Sequence, residues 1–131
     1  MYFHDMKKLP IIILYVADQE KSKSFYEKIL RMAPVLHVPG MTEFMFTPGV
    51  KLGLMPEHGI AKIICPALPE PAKANGIPRC ELYILVENPV ASLTMAIEAG
   101  AKMISPVEPR NWGDLVGYCA DPDGHVLAFA K

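Results

Sequence analysis

Glu81 is the acidic residue whose sequence setting most favours a chemical role. It opens the run Glu81–Val86, in which side chains alternate with period two, as in a strand with one half-buried face. A carboxylate on such a face can accept hydrogen bonds from a cationic or donor ligand, or act as a general base. It can also form an internal salt bridge, to Arg79 or to Arg110. The residues alone leave these alternatives open.

Aromatic residues are the second group of candidates. Tyr83 follows Glu81 by two positions and therefore shares its strand face. Trp112 is the only tryptophan and lies in a loop rich in Pro, Arg and Asn. It would either stack on a flat ligand or cap the core at a junction. Tyr118 belongs to a predicted strand that leads into Asp121-Pro-Asp-Gly124, a type I turn sequence.

The remaining candidates would complete a ligand-binding wall. Tyr15 and Met55 fall on the mixed face of two predicted strands in the first half of the chain. Phe44 and Phe46 are also candidates, although the pattern over residues 43–47 does not decide which face they occupy. Arg110, beside the tryptophan loop, is the cationic candidate.

Composition excludes several classes of function. The 131 residues suffice for one domain, and a net charge of −1 offers no electrostatic basis for binding nucleic acid or an anionic membrane. No apolar run approaches the roughly 20 residues of a membrane span, and residues 1–8 lack the order of a secretory signal. The three cysteines have no CxxC spacing, which predicts free thiols in a reducing cytoplasm. Neither a Gly-rich phosphate loop nor a Ser–His–Asp spacing is present.

Two stretches of the chain repeat one order of elements. Asp18 and Asn88 are suited to cap helices that follow strands, and Pro89 suits a first helical position. The Pro-rich stretch 56–78 between them is predicted to be a linker or lid. The predicted strands span 11–16, 35–38, 43–47 and 51–55 in the first stretch, and 81–86, 102–104, 116–120 and 125–130 in the second.

The repeat predicts the fold class. Asp18 and Asn88 are 70 residues apart, and the closing strand segments that begin at Pro48 and Asp123 are 75 apart. A duplicated β-α-β-β-β unit accounts for both offsets. The prediction is an α+β fold of two tandem modules that form a curved mixed sheet around a cleft, with helices on the outer face. Module one spans 9–57, the linker 58–78 and module two 79–131.

Strand periodicity separates a core face from a pocket face. One face of four strands carries large aliphatic residues throughout, which suits packing against the helices. The opposite face mixes small, aromatic and charged side chains. Gly53, Ala128 and Ala130 leave room on it, so this face is predicted to be the wall of a pocket.

These features resemble the vicinal-oxygen-chelate superfamily, which includes glyoxalase I, extradiol dioxygenases and bleomycin-resistance proteins. The resemblance runs from about Leu9 to the end of the chain and implies paired modules, a cleft inside the curved sheet, and a homodimer. That superfamily usually has Leu-Gly after the first helix, so Leu30-Arg31 predicts a slightly shifted helix end. The residues that carry the resemblance are Val16-Ala-Asp18, Ser24-Phe-Tyr26, Gly100-Ala101 and Trp112 through Gly124.

The resemblance also implies where a metal would bind. Carried over by position, the four ligand positions of the metal enzymes fall on Ile11, Gly53, Glu81 and Ala128. Only Glu81 can bind a metal, whereas a catalytic divalent site usually needs about three protein ligands.

The missing ligands are not obviously replaced by any of the three histidines His37, His58 and His125. We therefore expect no metal and no cofactor. The predicted function is that of a metal-free small-molecule-binding protein that encloses an aromatic or amphipathic ligand. The alternative is a superfamily enzyme, a lyase, isomerase or dioxygenase, with an atypical metal site or with Glu81 as general base.

Overall fold

A computed structural model describes residues 9–131, which divide into two compact units. Unit 1 ends at Lys73, and unit 2 begins at Ala74. Unit 1 contains a four-stranded mixed sheet in the order β1-β4-β3-β2. Strands β1 and β4 are parallel, and the other neighbours are antiparallel. Its elements are β1 (Ile11–Val16), α1 (Gln19–Leu30), β2 (Leu36–Val38), β3 (Met41–Thr47), β4 (Val50–Pro56) and α2 (Glu57–Ile64).

Unit 2 repeats this topology without the second helix. Its sheet has the order β5-β8-β7-β6, again with the first pair parallel and the others antiparallel. Two four-stranded mixed sheets and three helices confirm the predicted α+β class. The elements of unit 2 are β5 (Glu81–Leu85), α3 (Pro89–Glu98), β6 (Lys102–Pro109), β7 (Leu115–Ala120) and β8 (Val126–Ala130). Within residues 9–131 no helix is both long and apolar enough to cross a membrane.

The helix starts follow the predicted capping residues. Asp18 accepts a hydrogen bond from the Lys21 N–H, and Asn88 accepts one from the Ala91 N–H. The end of α1 is not shifted: Arg31 adopts the left-handed conformation, with φ of 55°, directly after Leu30. Arginine thus takes a conformation that glycine adopts at less steric cost.

The stretch predicted as a linker contains a helix that the sequence pattern did not reveal. Helix α2 follows β4 without a break, packs against β1 and β4, and buries none of its residues. A 3-10 turn at Pro71–Ala74 follows it. The helix was missed because it is only eight residues long, begins after Pro56 without a side-chain cap, contains Gly59 and lies in a proline-rich stretch.

Strand β6 extends beyond its predicted end at residue 104. The added residues include Pro106 and Pro109, each of which lacks the N–H that a sheet ladder needs. In the structure β6 is the edge strand, and its register to β7 shifts between Met103 and Ser105 and again before Glu108. An irregular edge strand tolerates these prolines.

The cores lie between each sheet and its helix. In unit 1 the side of α1 that bears Phe25 and Tyr26 is buried, and these two rings pack edge to face. The aliphatic face of β1 and β4 is buried at Leu14, Val16, Leu52 and Leu54, whereas Ile12 at the start of β1 is 53% exposed. In unit 2, Leu82, Leu127 and Phe129 are buried on one sheet face, and Leu93 of α3 is buried as well. The aliphatic faces predicted from period-two alternation are therefore the core faces.

Gly117 lies where Leu93 of α3 and Val107 of β6 pack closely against strand β7. A Cβ at this position would lie 2.7 Å from Val107 Cγ2 and 2.8 Å from Leu93 Cδ2. We expect Gly117→Ala to lower the free energy of unfolding by about 1–3 kcal/mol, because the added methyl group overpacks the core. Urea denaturation measures this change.

Gly59, in α2, is the matched control. A Cβ at Gly59 meets no atom within 4 Å, so Gly59→Ala should stabilise the protein by about 0.5–1 kcal/mol through helix propensity. Equal effects of the two alanine substitutions would contradict the close approach at Gly117.

Candidate functional site

The sheet face of unit 2 opposite α3, here called open face 2, carries an aromatic row. Tyr83 on β5, Ala128 on β8 and Tyr118 on β7 are neighbours in register, so their side chains point to the same side. Gly117, next in sequence to Tyr118, faces Leu93 of α3, which places the row on the other side of the sheet. Two tyrosine rings therefore flank a small residue.

Trp112 and Asp114 join this row through Tyr83. The Tyr83 hydroxyl donates to Asp114 Oδ2 at 2.5 Å, and Trp112 Nε1 donates to the Tyr83 hydroxyl at 2.9 Å. Tyr83 is 38% exposed and Trp112 is 56% exposed. The indole is thus held in one orientation while much of it stays open to solvent, which is the arrangement that a stacking site needs.

The turn between β6 and β7 sets this orientation. The Arg110 N–H donates to the Asp114 carbonyl at 2.8 Å, and the Gly113 N–H donates to the Arg110 carbonyl at 3.0 Å. Gly113 has φ of 104°, a conformation that side chains other than glycine rarely adopt. The glycine between Trp112 and Asp114 therefore lets both flanking side chains reach Tyr83.

Arg110 is fixed by the backbone of its own hairpin. Its guanidinium donates to the Val116 carbonyl at 2.8 and 3.1 Å and to Ser105 Oγ at 3.0 Å, and it lies 5.1 Å from the centre of the Tyr118 ring. Glu108 is its ion-pair partner, at 3.4 Å. The guanidinium orients Tyr118 by a cation–π contact.

Glu81 is exposed on the same strand face as Tyr83. The predicted alternative of an internal salt bridge is wrong for both proposed partners. Arg79 contacts His125 Nε2 at 3.1 Å and the Asp123 carbonyl, while Arg110 pairs with Glu108. Among residues 9–131 Glu81 forms no ion pair, so its carboxylate is accessible from solvent.

Tyr83 has a pKa above its ordinary value of 10.0, mainly because its hydroxyl donates to the Asp114 carboxylate. Desolvation adds a smaller increase, and the Trp112 N–H acts in the opposite direction. The raised pKa means that this interaction stabilises the fold at neutral pH and is lost as the pH rises past about 10 through the folded-state pKa.

Asp114→Asn should lower the pKa of Tyr83 towards its ordinary value, because the neighbouring negative charge is removed. Ultraviolet absorbance of the phenolate measures the titration, and Tyr83→Phe identifies the contribution of Tyr83 among the five tyrosines. An unchanged titration in Asp114→Asn would show that the hydrogen bond does not form in solution.

The other predicted residues lie in unit 1, and they do not share one face. Tyr15 and Met55 are register partners on β1 and β4, both half-buried on the sheet face opposite α1, here called open face 1. Phe44 pairs with Leu52 on the core face and is 0% exposed, so it does not line an open wall. Phe46 is half-buried where the register of β3 to β4 shifts, between Met45 and Thr47.

The geometry is that of a known family. The family model described as a glyoxalase-like domain matches residues 9–131. The chain belongs to the glyoxalase-like domain family. The resemblance to the vicinal-oxygen-chelate superfamily is thereby confirmed.

Relatives of this glyoxalase-like chain were found by sequence and by structure. An uncharacterized protein of Mycobacterium tuberculosis H37Rv is 25% identical over 121 residues, which cover 90% of this chain and 71% of that protein. A glyoxalase-related enzyme from Fulvimarina pelagi has a TM-score of 0.79 at 24% identity and covers 95% of this chain and 88% of its own. A glyoxalase/bleomycin resistance protein/dioxygenase family enzyme from Burkholderia phytofirmans PsJN has a TM-score of 0.78 at 15% identity, with coverages of 92% and 94%. At these identities the two structures show a shared fold.

The metal ligands implied by the glyoxalase-like fold do not fit this chain. Ile11, Gly53 and Ala128 offer no metal-binding atom, which leaves Glu81 alone of the four positions. The expected space beside Gly53 is also filled, because a Cβ there would lie 3.0 Å from Ile11 Cγ2 and 3.1 Å from Ile13 Cγ1. No mechanistic step through a metal at these positions is derived.

The small residues of open face 2 are covered as well. Ala128 and Ala130 are fully buried and pack in one cluster with Val116, against which Tyr118 is partly buried. The expectation that these alanines leave open room is therefore wrong. The accessible part of this face includes Glu81, Tyr83, Trp112 and Leu85, the last of which is 73% exposed.

A second group of metal-binding side chains lies in the turn between β7 and β8. Asp121, Asp123 and His125 each place a potential ligand atom within 4.8 Å of the others. Asp121 Oδ2 lies 2.8 Å from His125 Nδ1, and Asp121 Oδ1 accepts the N–H groups of Asp123 and His125. Because arginine only donates, its contact with His125 Nε2 makes that nitrogen an acceptor and leaves the proton on Nδ1. Internal hydrogen bonds thus account for this group, which stabilises the turn.

His37 lies on the helix side of unit 1. Its Nδ1 is 2.7 Å from Thr42 Oγ1, and its Nε2 is 2.7 Å from Glu20 Oε2. Thr42 is fully buried and also accepts from Gln19 Nε2. These bonds tie β2 and β3 to α1 and give His37 a structural role.

Asp114 is the site residue that sequence reasoning missed. It was part of the Trp-Gly-Asp segment that carried the family resemblance, but no strand pattern assigned it to a face. A turn glycine between an aromatic and an acidic residue was the available signal, because such a glycine permits both side chains to lie on one side.

Proposed function

We propose that this chain is a metal-free small-molecule-binding protein of the glyoxalase/bleomycin-resistance type, whose ligand stacks on open face 2. The observation that carries the proposal is the hydrogen-bonded group of Trp112, Tyr83 and Asp114, in which an exposed indole is held by a tyrosine and a carboxylate. The match to the glyoxalase-like family supports the type of protein.

The exposed aromatic rings of the site favour an aromatic ligand. Trp112 and Tyr83 present ring area to solvent, and stacked aromatic pairs contribute about 0.5–1.5 kcal/mol beyond the area that they bury. Because the hydrogen bond to Tyr83 already restricts the indole, little further conformational entropy is lost on binding.

A cationic or hydrogen-bond-donating ligand is favoured by the charges. Glu81 and Asp114 are both acidic, and Glu81 is accessible from solvent on the face that bears Tyr83. The one arginine among the predicted site residues, Arg110, already serves Glu108 and the hairpin backbone. Aromatic faces beside carboxylates bind cations more tightly than neutral molecules of equal shape.

Fluorescence of the single tryptophan tests this proposal at the site itself. We would titrate the protein with N-methylquinolinium and with its neutral analogue 1-methylnaphthalene, which matches the cation in shape but carries no charge. We expect the cation to change Trp112 fluorescence at lower concentration, with calorimetry giving the dissociation constant. A wider panel of planar cations extends the search if the first cation is too small.

Variants separate stacking from charge. Trp112→Ala should weaken binding by about tenfold, which corresponds to about 1.4 kcal/mol, whereas Trp112→Phe retains most of the stacking. Glu81→Gln should reduce the preference for the cation. If no panel member binds, or if Trp112→Ala binds as tightly as the native protein, the assignment of open face 2 fails.

A second candidate function rests on the accessibility of Glu81. A carboxylate that is exposed and free of ion pairs among residues 9–131 is available as a general base in a lyase or isomerase without a metal. Turnover of a bound compound that Glu81→Gln abolishes without loss of binding would favour this enzyme. Stoichiometric transition metal in the purified protein would instead favour an atypical metal site.

Homodimer formation and a cytoplasmic location stay predictions. Sedimentation equilibrium of the purified chain tests the first, and fractionation of cells that express it tests the second.

A further inference from the structure

A cavity in unit 1 includes no residue of either open face. Its volume is about 440 Å³, and its small lining residues are Ala17, Ala61 and Ala72. Ala17 follows β1 and α2 follows β4, and these two strands are parallel neighbours with Val16 opposite Pro56. The cavity therefore lies at the carboxyl end of this parallel strand pair. Its volume suits a small organic molecule.

The polar lining of this cavity carries both signs of charge. Glu57 and Lys62 come from α2, and Glu70 comes from the segment that follows it. None of these three side chains forms an ion pair with another residue in the described part of the chain. His58 adds a hydrogen-bonding ring to the same lining. Two carboxylates and one ammonium group are thus available to a ligand.

We propose that this cavity binds a small zwitterion of the amino-acid class, with its ammonium group at Glu57 and Glu70 and its carboxylate at Lys62. A ligand with only an ammonium group would leave Lys62 unmatched, and a ligand with only a carboxylate would face two acidic side chains. A molecule with both groups satisfies both signs of the lining. The site is independent of open face 2, so it stands or falls separately from the proposed function.

Cys65 provides a reporter inside this cavity. Its thiol belongs to the lining and is partly exposed. Cys80 is exposed and is removed as Cys80→Ser, while burial raises the pKa of the Cys119 thiol to about 11, which keeps that thiol unreactive near neutral pH. The rate of reaction with dithionitrobenzoate in Cys80→Ser then measures access to Cys65.

Matched six-carbon compounds test the charge requirement. We expect norleucine or ε-aminocaproate, which carry both groups, to slow the Cys65 reaction about fivefold at a concentration about four times the dissociation constant. Hexylamine and hexanoate carry one group each and should have little effect at that concentration. Trp112 fluorescence, followed in the same samples, should not change.

Variants of the lining complete the test. Glu70→Gln and Lys62→Met should each weaken protection about tenfold, because each removes one charge-assisted contact. Ala61→Trp should fill the cavity and abolish protection, and Lys23→Met on α1 is the control for an unrelated surface charge. If neither zwitterion protects Cys65, if hexylamine or hexanoate protects it equally, or if the Glu70 and Lys62 variants retain full protection, the proposal is overturned.

Discussion

Lys51→Met is expected to lower the free energy of unfolding by about 3–5 kcal/mol, because it leaves a buried carboxylate without its partner. Lys51 Nζ lies 2.8 Å from Glu43 Oε1, and the two residues are only 4% and 9% exposed. Register places both on open face 1, since Lys51 is opposite Ile11 and Glu43 is opposite Gly53. Methionine has a similar length, so the loss reports the charge and not a cavity. Urea denaturation at neutral pH measures it.

The double variant Lys51→Met with Glu43→Leu tests whether the unpaired carboxylate causes the loss of stability. Replacing both charges by apolar groups removes the unpaired carboxylate, so most of the lost stability should return. The surface pair Lys23–Glu27, half-buried and at 3.3 Å on α1, is the matched control, and Lys23→Met should cost less than about 1 kcal/mol. A Lys51→Met effect as small as this control would mean that the Lys51–Glu43 pair is hydrated in solution.

Phe44→Ala is expected to destabilise the protein by about 3–5 kcal/mol, because it removes a ring from a packed interior and leaves a cavity. Phe44 is 0% exposed and lies beside Leu52 on the face of the unit 1 sheet that α1 covers. The effect should appear in the free energy of unfolding and leave unchanged the ligand affinity of the folded protein. Denaturation together with Trp112 fluorescence titration measures both quantities.

Leu85→Ala is the control for an apolar residue of strand β5. Leu85 is 73% exposed, so its truncation should change stability by no more than about 0.5 kcal/mol. If Phe44→Ala were as mild as Leu85→Ala and instead weakened ligand binding, Phe44 would belong to the ligand wall and the core assignment would be wrong.

Local patterns predicted the elements that obey local rules. The aliphatic alternation of β1 and β5 identified their buried faces, and Asp18 and Asn88 marked the starts of the two long helices. Helix α2 was not found, because it is short, has no side-chain cap and lies in a proline-rich stretch. The face of Phe44 stayed undecided because the irregular register beyond Met45 breaks the alternation.

The sequence predicted most of the residues of the candidate site, but not the contacts between them. Tyr83, Trp112, Tyr118 and Arg110 were all selected from the sequence, and all lie on or beside open face 2. Their hydrogen-bond and ion-pair partners were not predicted. Asp114, which accepts from Tyr83, was missed, and the two arginines predicted to pair with Glu81 contact His125 and Glu108 instead.

Residue order alone was enough to predict the α+β repeat, the capped helices and the strand faces, because alternation and capping act between residues close together in the chain. Contacts between distant residues depend on the folded chain: Trp112 and Tyr83 are 29 residues apart, and Tyr83 and Asp114 are 31 apart. Lys51 contacts Glu43 on the neighbouring strand. Such contacts depend on strand register and turn conformation. Residue types and spacing set neither of these.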